Sequence, residues 1–505
     1  MDEEVRQTLS VCPECLNTIP AKIVKRGNEL FIVKECPEHG KFEELYWADY
    51  ELYKKFMSRL EAGKGIENPK TDAKKGCPWD CGLCPLHMSS SVLVNIDITN
   101  RCNFRCPICF ANAAATGKVW DLSIEEVSGM IDNIMSQRPP ALAVQFSGGE
   151  PTVRDDLPDM IKLAKEKGIK NVMIATNGAR LAEDFDYLKS LVDAGLSVIY
   201  LQFDGVSERP YQIARGFNAF PLKKKVIENV RRIGKPNVVL VPTVVKGVND
   251  HEAGDIIRFA AENSDVVRGI AFQPVAITGR IRKEEREKMR ITIPELLDRI
   301  EEQTGGQIRK KDFYTIPSIF PIIEWLRATA DDGSRYPYVR THPVCGAGTY
   351  VFVDGDKLVP ITRVINVDRL ISLMEKKISR TEMVLRLPTV IKPGIITRAK
   401  DFLSVLKGIV TEGSFSAAAS FHNIKHLLFI GTMHFQDPYN FDVERVMRCV
   451  IHYALPDGKV IPFCAYNNFY RQEYEAKFAR DATEEDKREL NEQVKKLAEW
   501  RREFG

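Results

Sequence analysis

The middle of the chain alternates between two textures. Short runs rich in Val, Ile and Leu lie at Val92–Ile98, Leu142–Phe146, Asn171–Ala175, Ser197–Phe203, Val238–Val245 and Gly269–Val275. Their length and β-branched content predict buried parallel strands. Between them run segments of helical period, such as Leu157–Lys167 and Asp184–Ala194, the latter followed by Gly195 as a stop. Six strands with intervening helices predict an α/β fold, either a partial (β/α)6 TIM-like barrel or a doubly wound sheet. In both, ligands gather at the carboxyl ends of the strands. Around this centre the texture changes. Residues 1–45 hold two cysteine knuckles and a short β-like run, Leu30 to Val33; residues 46–91 are helical in pattern and end in another cysteine group. Residues 281–505 mix charged helices with two short hairpin-like stretches.

Composition narrows the class. Lys plus Arg number 72 against 69 for Asp plus Glu, so the basic excess expected of a nucleic-acid binder is missing. Met1 to Leu9 is polar and acidic, unlike a secretory leader, and no run reaches the ~18 apolar residues of a membrane span. The expected location is the cytoplasm, where twelve cysteines stay reduced and point to metal. Nine of the twelve precede residue 110, which places the metal chemistry early in the chain.

The central motif follows the first strand: Cys102-Asn-Phe-Arg-Cys106-Pro-Ile-Cys109-Phe. Three thiolates at this spacing wrap one face of an iron–sulfur cubane and leave one iron open; a zinc knuckle short of a ligand is the blander reading. The second strand ends in Ser147-Gly148-Gly149-Glu150-Pro151, where two glycines admit close backbone approach beside a carboxylate. Alone, that segment reads equally as a turn.

Together, CxxxCxxC after strand one and GGE(P) after strand two resemble the radical S-adenosylmethionine (SAM) superfamily over residues 92–280. The resemblance implies a catalytic 4Fe–4S cluster on Cys102, Cys106 and Cys109. Its open iron would chelate SAM, and Gly148, Gly149 and Glu150 would hold the amino group. Reductive cleavage then yields a 5′-deoxyadenosyl radical, which requires a reducing partner such as ferredoxin. By position, Asn177, Gln202, Asp204, Thr243 and Gln273 complete the cofactor shell or are satisfied buried polar groups. Ile108 stands where many members carry an aromatic residue.

The remaining cysteines suggest further metal. Cys12-x2-Cys15 with Cys36-x2-His39 frames a mononuclear zinc or rubredoxin-like iron site; His39 either completes it or is a solvated turn residue. Cys77, Cys81 and Cys84 repeat the CxxxCxxC spacing without a Gly-Gly-Glu partner. Cys345-Gly-Ala-Gly before Val353-Asp-Gly-Asp, and Asp457-Gly-Lys ahead of Cys464, resemble fragments of a SPASM or twitch-like auxiliary-cluster domain. With Cys449, these residues would serve one or two auxiliary 4Fe–4S clusters, or would simply be small buried hydrophobes.

Substrate class depends on the tail and on the overall layout. Leu385–Ile396, Phe402–Val410, Ser416–Ser420 and His426–Met433 interleave apolar positions with Lys392, Arg398, Lys400 and Lys407. This suits a membrane surface or greasy tunnel as well as ordinary core. The whole layout resembles an archaeal radical SAM subfamily that includes the tetraether lipid synthases, with related pterin C-methylating enzymes. The former implies coupling of sp3 carbons in isoprenoid chains of archaeal membrane lipids, with peripheral membrane contact. The latter implies methylation of a pterin-type ring. A non-catalytic iron–sulfur electron carrier or metal-clamped binding module is the alternative from another class.

Overall fold

The computed structural model describes residues 2–504 apart from 64, 114–116, 282, 330–335, 393–406, 409–423 and 425. Four antiparallel strands in sequential order, Glu3–Val11, Thr18–Arg26, Glu29–Cys36 and Gly40–Trp47, form the N-terminal unit. The β-like run at Leu30–Val33 lies inside the third strand. Its neighbour Thr18–Arg26 buries alternate residues, whereas Glu3–Val11 is exposed along most of its length and is held by its ladder to Thr18–Arg26. Gly27, at φ +61°, closes the hairpin between Arg26 and Glu29 in the left-handed conformation that such tight turns require.

This unit docks through polar side chains onto residues 434–444. Asp442 accepts from Thr8 Oγ1 (2.7 Å) and Tyr46 OH (2.8 Å) and pairs with Arg6, which also reaches Glu444 at 2.7 Å. Burial alone would raise the Asp442 carboxyl, but Arg6, His342 and the two hydroxyls hold it at about 2. A carboxyl held below its unfolded value contributes stability that is complete above about pH 4 and is lost as pH falls toward 2. Unfolding measured across that window is expected to show a loss of roughly 2 kcal/mol, and Asp442→Asn should remove that slope.

The helical pattern expected over 46–91 yields one eight-residue helix, Tyr50–Met57, capped by Asp49. Turns and extended chain fill the rest.

The six expected strands are present and parallel, paired in chain order: Leu93–Thr99, Ala143–Gly148, Asn171–Thr176, Val198–Gln202, Asn237–Val241 and Val267–Pro274. The fifth ends early because Pro242 lacks an N–H; the ladder resumes at Thr243–Val244 against Gln273 and Pro274. Helices Leu157–Glu166 and Phe185–Asp193 match the expected ones within a residue, and Gly195 follows at φ +105°.

The C-terminal region extends this same sheet. Leu427–Met433 adds a seventh parallel strand beside Val267–Pro274, and Ile451–Ala454 adds an eighth beside Leu93–Thr99. Both expected hairpins exist. One joins Gly346–Asp354 to Lys357–Pro360, and the other joins Ile451–Ala454 to Val460–Pro462. The apolar stretch His426–Met433 is therefore chiefly a core strand and not a lipid-facing surface. Of the other tail segments, Phe402–Val410 is described only at Lys407 and Gly408, and Ser416–Ser420 lies outside the described residues. Among the described residues, no helix is long and apolar enough to cross a membrane.

Candidate metal centres and active site

At the N-terminal unit, the two knuckles face each other. Cys15 Sγ and Cys36 Sγ are 3.8 Å apart, and His39 Nδ1 lies 3.7 Å from Cys12 Sγ and 3.5 Å from Cys36 Sγ. All four ligand atoms fall within 4.8 Å of one another. Zinc–sulfur bonds of about 2.3 Å in a tetrahedron put sulfurs about 3.8 Å apart, so the donor set matches one tetrahedral ion. His39 thus stands where a fourth ligand would.

The central motif leaves the first strand at Thr99. Cys102 and Cys106 are pushed up by burial, and each feels the charge of Cys109; Cys102 also feels Glu150. The three thiols therefore lie within electrostatic reach of one another. The Gly-Gly-Glu segment lies against the chain entering the motif, with Gly149 N–H donating to Thr99 O and Glu150 N–H to Arg101 O, both at 2.8 Å. Backbone proximity by itself requires the glycines: a Cβ on Gly148 would lie 2.0 Å from Thr99 O, and one on Gly149 2.2 Å from Arg101 O. Glu150 is buried, which raises its pKa. Its carboxylate nonetheless accepts from Thr152 N–H (3.1 Å), Thr152 Oγ1 and Thr176 Oγ1 (both 2.6 Å) and Asn177 N–H (2.7 Å).

The expected cofactor-shell residues lie in an arc at the ends of strands three to six. Asn177 Nδ2 donates to Asn103 Oδ1 at 2.7 Å, inside the cysteine motif. Gln202 bonds Asp204, and Asp204 receives a bidentate pair from Arg215 at 2.6 and 2.7 Å. Thr243 sits beside Gln273 in the ladder, and Asn249 ties its carbonyl to that of Asp204, both at 2.8 Å.

Three cations missed in the sequence connect this arc to the cluster loop. Arg215 Nη1 donates to Ile108 O at 2.8 Å. Lys223, fully buried and pushed down to about 7 by that burial, bonds Asn177 O and Gln202 Oε1. Arg280 donates to Cys106 O and Ala113 O, both at 2.9 Å, beside Gly279. Arg215 and Arg280 lie 107 and 174 residues from their partners Ile108 and Cys106, with no local spacing to reveal them.

The other cysteines form two groups. Cys77, Cys81 and Cys84 line a small apolar cavity with His87 and Met447. Cys81 is raised by contact with Cys77 and by burial. Cys345, Cys449 and Cys464, far apart in sequence, meet in space. Burial raises Cys449, which feels both other thiols, and pushes Cys464 up to about 11, where the charge of Cys345 adds to it. Arg445 Nε lies 3.5 Å from Cys345 Sγ. A His87–His452 contact of 3.1 Å, with His87 also 2.9 Å from Cys449 O, lies between the groups.

Comparison with known proteins agrees with this geometry. Residues 96–260 match the profile of the radical SAM superfamily, and residues 5–48 that of the "HMPTM N-terminal zinc ribbon domain". The chain is 50% identical over 489 residues to the 7,8-dihydro-6-hydroxymethylpterin dimethyltransferase of Methanocaldococcus jannaschii, covering 94% of this chain and 96% of that one. It is 36% identical over 138 residues to Fe-coproporphyrin III synthase of Methanosarcina barkeri, covering 27% of this chain and 33% of that relative. Among solved structures, SuiB of Streptococcus suis aligns over 43% of this chain and 47% of its own at 17% identity, with a TM-score of 0.36.

These comparisons correct the expected substrate. The relative that spans nearly the whole chain is a pterin dimethyltransferase and not a tetraether lipid synthase. Lipid-chain coupling and an archaeal membrane-lipid partner are therefore withdrawn. Their only local support was an apolar tail, whose clearest segment proves to be a sheet strand.

Proposed function

Since the chain belongs to the radical SAM superfamily, in the family of that pterin dimethyltransferase, we propose that it C-methylates a reduced pterin of the 6-hydroxymethyl type. The observation that carries this reading is 50% identity extending through the ribbon, barrel and tail together. The barrel interior supports it. Asn95, Asp97, Gln145 and Ser147 put amides, a carboxylate and a hydroxyl on the inner faces of strands one and two. A compact heterocycle needs such anchors, whereas alkyl chains need an apolar channel.

Cys102, Cys106 and Cys109 are the ligands of the catalytic cluster in this reading. Gly148–Glu150, Asn177, Gln202, Asp204, Thr243 and Gln273 form the SAM shell. When bound, cluster and SAM together supply reductive sulfonium cleavage and a 5′-deoxyadenosyl radical, with electrons from a ferredoxin-type donor. Glu150 holds its carboxylate with four donors, so its orientation is set before any ligand arrives. Arg215 and Arg280 fix the carbonyls of the cysteine loop, and Lys223 locks Asn177 to Gln202. Cys77, Cys81 and Cys84, and likewise Cys345, Cys449 and Cys464, are assigned to two auxiliary clusters, each with three thiolates. Zinc at Cys12, Cys15, Cys36 and His39 is structural. The division of labour follows residues 1–45, 46–91, 92–280 and 281–505.

The anaerobically reconstituted protein, given dithionite and SAM, is expected to form 5′-deoxyadenosine faster with 7,8-dihydro-6-hydroxymethylpterin present than without it. Stimulation by an archaeal diether lipid and none by the pterin would overturn the reading.

A further inference from the structure

The barrel interior holds a buried charge pair that none of the cysteine groups uses. Asp97, on the inner face of strand one, accepts from Ser147 Oγ at 2.7 Å and lies 2.8 Å from Arg471 Nη1. The two side chains are only 6% and 8% exposed. Arg471 follows a π-helical turn, Tyr466–Tyr470, a local irregularity that often marks functional sites. Its guanidinium stands 4.8 Å from the Tyr466 ring centre and 5.5 Å from that of Tyr453, and Asn467 Oδ1 holds it at 2.9 and 3.0 Å. One layer deeper, Gln145 Nε2 donates to Asn95 Oδ1 at 2.9 Å, and Asn95 Nδ2 to His452 O at 3.2 Å. Gln145 Oε1 is left buried without a partner.

Neither feature is the economical way to hold a barrel together. Apolar residues of equal volume replace buried ion pairs at no loss, and an unpaired buried acceptor costs about 1–3 kcal/mol. Acceptor capacity is also left over. A carboxylate offers about four lone-pair sites; Asp97 Oδ1 accepts from Ser147, and Oδ2, though 2.8 Å from Arg471, accepts no hydrogen bond among the described residues.

We propose that Asp97 and Gln145 recognise the 2-amino-4-oxo edge of the pterin ring, with Arg471 on its carbonyl. This rests on the pterin reading above and assigns its recognition residues. That edge presents two adjacent N–H donors followed by an acceptor. A carboxylate takes the donors in parallel, a guanidinium supplies the carbonyl, and the orphaned Gln145 oxygen can take a remaining amino hydrogen. Tyr453 and Tyr466 offer ring faces alongside. A ring without the donor pair would leave Asp97 underpaired, which makes this edge the basis of discrimination.

The test uses reconstituted holoenzyme with SAM and measures equilibrium binding of 7,8-dihydro-6-hydroxymethylpterin. Asp97→Asn and Gln145→Met should each weaken binding about tenfold or more. The wild type should also discriminate by a similar factor against the lumazine analogue, in which oxygen replaces the 2-amino group. If Asp97→Asn does not fold, Gln145→Met and the lumazine comparison carry the test. Wild-type pterin binding with unchanged affinity in the variants and no discrimination against lumazine overturns this assignment alone. No pterin binding by the wild type overturns the functional reading beneath it.

Discussion

Gly148→Ala is expected to abolish nearly all SAM cleavage and to cost roughly 4 kcal/mol of stability, near the top of the range for single substitutions. Gly148 has φ +133°, and an added Cβ would lie 2.0 Å from Thr99 O. That oxygen cannot withdraw cheaply, because it accepts the Gly149 N–H at 2.8 Å. The next backbone bond, Glu150 N–H to Arg101 O, lies one residue from Cys102. Displacing this segment moves Glu150 off its four donors and distorts the start of the cysteine loop together. Iron content, SAM affinity and melting temperature should all fall. Gly234→Ala is the control: Gly234 also has positive φ, but nothing lies within 4 Å of its added Cβ, so only about 1 kcal/mol of backbone cost is expected. Equal effects at the two positions would contradict the argument.

Arg290→Met should produce the largest loss at the joint between ribbon and barrel, about 3–5 kcal/mol. Arg290 is 1% exposed and bonds Glu44 at 2.9 Å on one side and Asp437 at 2.9 Å on the other. Both carboxylates are buried, so removing the guanidinium unpairs buried charge instead of breaking one surface pair. Glu44 keeps Arg286 at 3.0 Å, whereas Asp437 keeps backbone donors, from Ile277 (2.8 Å) and Tyr439 (3.0 Å), and loses the more charge compensation. Adding Asp437→Asn to Arg290→Met should therefore recover part of the stability. Denaturant unfolding measures both. A loss below about 1 kcal/mol would show that the network contributes little.

What could be read in the sequence was what is local. Thiol spacing, Ser147–Pro151 and six apolar runs placed the cluster loop and the parallel sheet, with the first strand displaced by one residue, from Val92–Ile98 to Leu93–Thr99. The Gly-Lys turn at Asp457 and the Asp-Gly-Asp turn at Asp354 predicted both C-terminal hairpins. Two further parallel strands escaped notice because Ile451–Ala454 is only four residues long and Leu427–Met433 reads equally well as a lipid-facing run. Periodicity reports that a face is buried and does not report against what. The meeting of Cys345, Cys449 and Cys464, and the roles of Arg215, Lys223, Arg280 and Arg471, depend on tertiary contacts with no spacing signature. The substrate was misread for the same reason: the polar groups that argue for a ring, Asp97 and Gln145, sit singly inside apolar strands.

The most direct test of the central claim is the mass of the pterin recovered after turnover. Because the SAM cleaved to 5′-deoxyadenosine leaves its methyl on methionine, each methylation also needs a separate methyl donor, taken here as a second SAM, and all SAM supplied carries a deuterated methyl group. The account predicts 7,8-dihydro-6-hydroxymethylpterin heavier by one and then two carbon units on ring carbon, accumulating together with 5′-deoxyadenosine. Deoxyadenosine formed while the pterin keeps its original mass would contradict it.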